Sequence, residues 1–217
     1  MIKKNAVLIL KTNQKYTKHL KSKILLKYLN LKIIYLDSFS NSSHSKILNE
    51  INKIISNNKI DTAFFEGDYV SLINYYFINE VEVNLKILLC FDDFDMHEFN
   101  YITAKACNSI LTACPISNLK YREKKLSSYF CPLEANGSIY KKLDLKKKYD
   151  VLFFGSKKHL RDNFIDEIKK NKINFKLVGY SNDFVSEEDL VKLINESKIV
   201  INFSNTGVKK KKFGLRS

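Results

Sequence analysis

The chain has 217 residues and a formal charge of +14, from 37 Lys and Arg against 23 Asp and Glu, with 45% hydrophobic and 12% aromatic residues. That length holds one large domain or two small ones, and apolar material spread along the whole of it excludes wholesale disorder. The longest apolar runs are of strand length, short of the roughly 20 residues that cross a bilayer, so no membrane span is expected.

The positive charge suits an anionic ligand, whether nucleic acid, lipid or a phosphorylated substrate. Lys, Asn and Ile also recur at the solvent positions of every predicted helix, which a general compositional bias explains equally well. Cys90, Cys107, Cys114 and Cys131 form no CxxC pair and meet no histidines at metal-ligand spacing. Neither a zinc site nor a disulfide framework is expected, and reduced thiols in the cytoplasm are the default.

In chain order, strand-length apolar runs alternate with helix-length amphipathic stretches, the pattern of parallel sheets under covering helices. Ala6–Leu10 is the first strand. A helix capped by Thr17 follows, then a second strand at Leu31–Leu36. A polar loop at Ser38–Ser43 leads into a helix with Ile47, Leu48, Ile51, Ile54 and Ile55 on one stripe. Asp61–Phe65 is the third strand, Tyr69–Asn79 a helix and Leu85–Phe91 the fourth strand. A helix over Asp95–Lys105, a short strand at Ser109–Thr112 and a helix from Pro115 to about Lys125 complete a first domain of residues 1–136.

Gly137–Lys148 is Lys-rich and lacks a core pattern, so it is expected to be a linker. A second domain, residues 149–217, then opens with a strand at Tyr149–Phe154 and a helix at Leu160–Lys170. It continues with a strand at Phe175–Val178, a helix capped by Ser186 and a strand at Lys198–Phe203. Its small size and its unfinished sheet edge lead us to expect an incomplete second domain.

Tyr149-Asp-Val-Leu-Phe-Phe-Gly-Ser-Lys-Lys-His-Leu-Arg161 sets a glycine at the carboxyl end of a buried strand and cations at the start of the next helix. Open α/β sheets bind phosphates there, because the helix N-terminus presents free N–H groups. A purely steric strand-Gly-helix turn reads the same way. Phe91-Asp92-Asp93-Phe94-Asp95 is an acidic strand exit in which Asp95 caps the next helix, and no metal site is expected. Asp93 and His97 set a carboxylate and an imidazole at a strand end, groups suited to act as a base. Glu66-Gly67-Asp68 is a second acidic exit, read as a turn. His19, His44 and His159 are isolated, and the cysteines are read as small core residues rather than nucleophiles.

The order of YDVLFFGS, Arg161, FKLVGY and SEEDLVKLINESKIVINFS resembles the donor-side domain of GT-B glycosyltransferases, and within these the group related to the spore-maturation CgeB-like enzymes. LKILLCFDDFDMHEF and SILTACPISNLKYREK resemble parts of the acceptor-side half. The resemblance implies an α/β protein with two Rossmann-like domains of GT-B type, the second incomplete. It implies transfer of a sugar from a nucleotide-sugar donor to a glycan or other acceptor hydroxyl, with no cofactor.

Gly155, Ser156 and Arg161 would then bind the donor diphosphate, and the protein would be cytoplasmic, with possible peripheral contact at the inner face of the membrane. Lys209–Arg216 would be the run-up to donor-gripping residues that this sequence does not contain. The other readings open to the sequence are a non-catalytic α/β module binding a nucleotide or a partner, and a basic nucleic-acid-binding protein. For the latter no recognition motif is present, so no specific nucleic-acid binding is expected.

Overall fold

A computed structural model describes residues 3–11, 25, 27–39, 42–67, 73–91, 93–132, 137–155, 161–179 and 185–201, with the side chains of residues 94 and 95 outside the described part. The chain divides into two compact units, Met1–Leu133 and Glu134–Ser217. The expected helix after Thr17 lies mostly outside the described residues, as do Ser156, His159, His19, Asp68, Asp92 and Lys209–Arg216.

Unit 1 is a six-stranded sheet formed by Lys4–Leu10 (β1), Leu29–Tyr35 (β2), Thr62–Glu66 (β3), Leu85–Cys90 (β4), Ser109–Thr112 (β5) and Ser128–Phe130 (β6), in the order β2-β1-β3-β4-β5-β6. Every pairing is parallel. Parallel strands need crossovers, and His44–Asn57 (α1), Tyr75–Glu80 (α2), Asp93–Ala104 (α3) and Pro115–Glu123 (α4) supply them. From β2 onward each crossover steps in one direction across the sheet, so right-handed connections place α1 to α4 on one face.

The period-2 alternation of the strands separates two apolar layers. Val7, Ile9, Ala63, Phe65, Leu88, Cys90 and Ile110 join the helix residues Ile47, Leu48, Ile51, Ile55, Phe77 and Ile78 in one core. Ala6, Leu8, Leu10, Phe64 and Leu89 point to the opposite face, where Leu25, Leu29 and Leu31 pack against them. All five of Ala6 to Leu10 are therefore inaccessible, as a strand covered on both sides requires.

Three details of unit 1's elements differ from the sequence expectations. β6, only three residues long, carries too little pattern to be read from sequence. The helix expected from Tyr69 is described from Tyr75, where Asn74 caps it by accepting from the Phe77 amide at 3.0 Å. Helix α3 opens at Asp93, so Asp95 lies inside its first turn and is not its cap; the hydrogen bonds of Asp93 described below fix that earlier start.

Unit 2 is a three-stranded parallel sheet made of Tyr149–Phe154 (β7), Phe175–Val178 (β8) and Ser197–Ile201 (β9), in the order β8-β7-β9, with Arg161–Lys170 (α5) and Glu187–Glu196 (α6) as its helices. Ser186 caps α6 by accepting from the Asp189 amide at 3.1 Å. The Lys-rich segment expected as a linker is strapped to this unit. Asn195 accepts from the Leu143 amide at 2.8 Å and donates to the Lys141 carbonyl at 3.1 Å, and the Lys147 ammonium donates to the carbonyls of Asn195 and Ser197.

Candidate functional site

In open α/β sheets ligands bind beyond the carboxyl ends of the strands, and both groups of sequence-selected residues fall there. In unit 1 the ends of β4 and β5 meet the first turns of α3 and α4. Asp93, the first residue of α3, has no accessible surface. Its Oδ1 accepts from Asn100 Nδ2 at 3.0 Å and from the Tyr121 hydroxyl at 2.9 Å, and its Oδ2 accepts from the Thr112 hydroxyl at 2.7 Å. Ser117 Oγ donates to its carbonyl at 3.1 Å. A buried carboxylate requires such partners, and this one ties β5, α3 and α4 to a single point.

His97 follows one turn along α3. It is 8% exposed, with its ring 4.6 Å from that of Tyr121 and stacked at 6.4 Å on Tyr101. Nδ1 of His97 and Oδ1 of Asn100 are buried without a hydrogen-bond partner. Burial holds the imidazole below its ordinary value, opposed by Asp93, with Lys120 lowering it further and Glu98 opposing. A neutral imidazole can accept a proton; Asp93 is enclosed away from any external hydroxyl.

Gly67, at the exit of β3, faces this cluster: a Cβ there would lie 3.0 Å from Asn100 Oδ1 and 3.1 Å from both Cys90 Sγ and the Leu89 carbonyl. Asn100, Thr112, Ser117 and Tyr121 escape sequence reasoning. The one available trace is that Ser117 and Tyr121 share an inward i, i+4 stripe on α4, a polar pair where apolar residues are expected.

The cysteines are all free. Cys90 and Cys114 are buried, and Cys114 Sγ accepts from the Ser117 amide at 3.5 Å. Burial raises the Cys107 thiol to about 12. Cys131 departs from the core reading, being exposed just after the edge strand β6.

In unit 2, Gly155 ends β7 with φ +147° and Gly179 ends β8 with φ +75°, both in conformations that favour glycine. The Gly155 amide donates to the Val178 carbonyl at 2.9 Å, and a Cβ on Gly179 would lie 3.6 Å from Gly155 N. Arg161 opens α5 with its guanidinium over the Phe153 ring, 5.4 Å from the centroid. Its Nη1 lies 3.4 Å from where a Gly155 Cβ would sit. A bare backbone corner, a helix start and a cation are thereby brought together. Ser156 lies outside the described residues.

Surface cavities of about 210 Å³, beside Tyr140 and Asn195, and about 460 Å³, beside Asn52 and Glu82, lie at neither place. Among the described residues no group of three or more His, Cys, Asp or Glu is placed to hold a metal ion, and no helix is long and apolar enough to cross a membrane.

These features define an α/β protein with two Rossmann-like parallel sheets. No family model and no curated protein matches the chain. Among solved structures, the UDP-GlcNAc 2-epimerase from Methanocaldococcus jannaschii is similar over 90% of this chain and 77% of its own, at 12% identity and a TM-score of 0.51. MurG from Acinetobacter baumannii aligns over 93% of this chain and 69% of its own, at 10% identity and a TM-score of 0.40. The likeness to the epimerase is one of fold, and the fold is of GT-B type.

Proposed function

We propose that the chain is a glycosyltransferase, or a part of one, that uses a nucleotide-sugar, of the CgeB-like kind that its sequence resembles. The observation that carries this reading is the corner in unit 2 where Gly155 and Gly179 bare their backbones beside Arg161 at the start of α5. A diphosphate suits such a corner, since the N-terminal end of a helix carries a positive dipole end that favours an anion. As the bond from the sugar to the diphosphate breaks, negative charge grows on the leaving phosphate, and Arg161 would offset it without a metal.

In unit 1, His97 would serve as the base that takes the proton of an acceptor hydroxyl, and Asp93 would position the helix that carries it. The acceptor class is a glycan or other hydroxyl compound, and the location is the cytoplasmic face of the membrane.

The epimerase's substrate makes UDP the first nucleotide to try. Calorimetric titration of the chain with UDP should give saturable binding, weakened roughly tenfold or more by Arg161→Ala, as loss of a charge-assisted contact implies. Unchanged affinity in that variant removes Arg161 from the site. Failure of UDP, GDP, CDP and ADP alike to bind overturns the reading.

A further inference from the structure

Helices α3 and α4 are amphipathic in the inverted sense. Apart from Ala104 at its last turn, the buried side chains of α3 are polar, namely Asp93, His97, Asn100 and Thr103, whereas Phe99 and Ile102 are 55% and 58% exposed. On α4 the inward residues are Ser117 and Tyr121, while Ile116 and Leu119 are 54% and 60% exposed. A helix lying on a sheet ordinarily does the reverse, because burying the apolar stripe is what holds it there. Helix α1, in the same layer, follows the ordinary rule: it buries Ile47, Leu48, Ile51 and Ile55 and exposes Lys46, Asn49, Glu50 and Lys53.

The hydrogen bonds to Asp93 account for the inward placement of Asn100, Ser117 and Tyr121. They give no reason for the outward aliphatic residues, where any polar side chain would serve. The two helices are neighbours in contact within one layer. On and just beyond the two helices Lys105, Lys120, Arg122, Lys124 and Lys125 are exposed, as are Glu98 and Glu123, so the cations outnumber the carboxylates.

We propose that the outer face of α3 and α4 docks on an anionic lipid surface, with Phe99, Ile102, Ile116 and Leu119 entering the headgroup–acyl boundary and the cations meeting lipid phosphates. Exposed apolar side chains on helices that also carry an excess of exposed cations match both halves of that environment. A polynucleotide would use the charges and leave the aliphatic residues in water. A protein partner would call for an interface core depleted of charge, and lysines intervene here. The proposal specifies the membrane-face location given above but stands without the nucleotide-sugar chemistry, since vesicle binding and UDP binding are measured separately.

The test is co-sedimentation of the full chain with vesicles of phosphatidylcholine and phosphatidylglycerol, and with phosphatidylcholine alone. Binding should require the anionic lipid and fall with added salt. Joint Ile116→Asp and Leu119→Asp should lower it roughly tenfold, as should joint Lys120→Gln, Lys124→Gln and Lys125→Gln. Lys46→Gln with Lys53→Gln on α1 should leave it within about twofold, because those positions lie away from the apolar pairs.

The chain contains no tryptophan, so Leu119→Trp installs a single reporter whose emission should shift to the blue on anionic vesicles. Circular dichroism melts of each variant exclude unfolding as the cause of any loss. Absence of vesicle binding, binding indifferent to the Asp substitutions, or an unshifted emission from the Leu119→Trp reporter would overturn the proposal. So would tight binding of an RNA oligonucleotide with none to vesicles.

Discussion

The hydroxyl of Tyr121 donates to Oδ1 of Asp93 at 2.9 Å, joining the inward side of α4 to the first residue of α3. Tyr121 is itself inaccessible, so neither end of this bond can exchange its partner for water. Tyr121→Phe keeps the ring against His97 and leaves Asp93 with Asn100 and Thr112; it should cost about 1–3 kcal/mol in urea unfolding. Asp93→Ala strands three donors at once and should cost more, about 3–5 kcal/mol. Equal stability of Tyr121→Phe and the parent chain would show that the bond contributes nothing net.

The same pair predicts an alkaline limb. Burial first, then Cys90 and Asp93, push the Tyr121 hydroxyl well above the ordinary tyrosine range. A group whose folded value is raised contributes stability that is complete below its unfolded value and is lost as pH climbs past it. Stability should therefore decline above about pH 10, and Tyr121→Phe should flatten that decline. Unfolding midpoints measured from pH 8 to 11 decide the matter.

His97 gives the opposite sign at the acid end. Its folded value is depressed, chiefly by burial, so the unfolded chain takes up the proton first. The contribution is present above the ordinary histidine value, about 6.5, and is lost as pH falls through the folded one. His97→Gln should remove part of the acid destabilisation between about pH 6.5 and 5. An NMR titration should find the His97 ring neutral at pH 7, and a ring protonated there would exclude it as a base.

Gly67 sits where β3 leaves the sheet, close against the Asp93 cluster. Gly67→Ala would set a methyl 3.1 Å from the Leu89 carbonyl, a backbone atom that cannot swing aside, and 3.0 Å from Asn100 Oδ1. The expected cost is about 1–3 kcal/mol, with Asn100 pushed off Asp93. A melting temperature unchanged in this variant would mean that the cluster has room to give.

Period-2 and period-3.6 patterns made most of the elements legible, because strands such as Ala6–Leu10 and helices such as α1 hold their places through apolar burial. They fail where burial is not what fixes an element. β6 is three residues on an edge, and α3 carries the wrong residues on its inward face because a buried carboxylate anchors it. The glycine–arginine corner was visible because Gly155 is needed for backbone conformation, a property of its own position. The partners of Asp93 were invisible because Thr112 and Tyr121 reach it from 19 and 28 residues away in sequence.

Asn195 is the clasp of the strap along unit 2. Its side chain accepts from the Leu143 amide and donates to the carbonyls of Lys141 and Val191. Asn195→Ala should leave α6 in place while freeing the strap, so amide exchange should quicken at Leu143 far more than at Val178 in β8. The expected loss of global stability is modest, about 1–2 kcal/mol, since the released groups regain water. Uniform exchange changes across the unit would contradict a local clasp.

The proposed donor corner can be tested through its backbone before any substrate is known. Gly155 and Gly179 both need glycine, but to different degrees. At φ +75° Gly179 lies near the left-handed helical region, where an alanine costs about 1–2 kcal/mol and its methyl meets Gly155 only at ordinary contact distance. At φ +147° Gly155 lies farther from any conformation an L-residue favours, and its added methyl would press on the Phe153 ring at 3.2 Å and on Arg161 Nη1 at 3.4 Å. Gly155→Ala should therefore destabilise unit 2 more than Gly179→Ala, and it alone should displace the guanidinium directly. If the corner binds a diphosphate, Gly155→Ala should weaken UDP binding at temperatures where the variant is still fully folded, and Gly179→Ala should weaken it less. Equal stabilities for the two variants, measured by calorimetric melting, would mean that the corner relaxes without strain. The case for a rigid phosphate cradle would then fail with it.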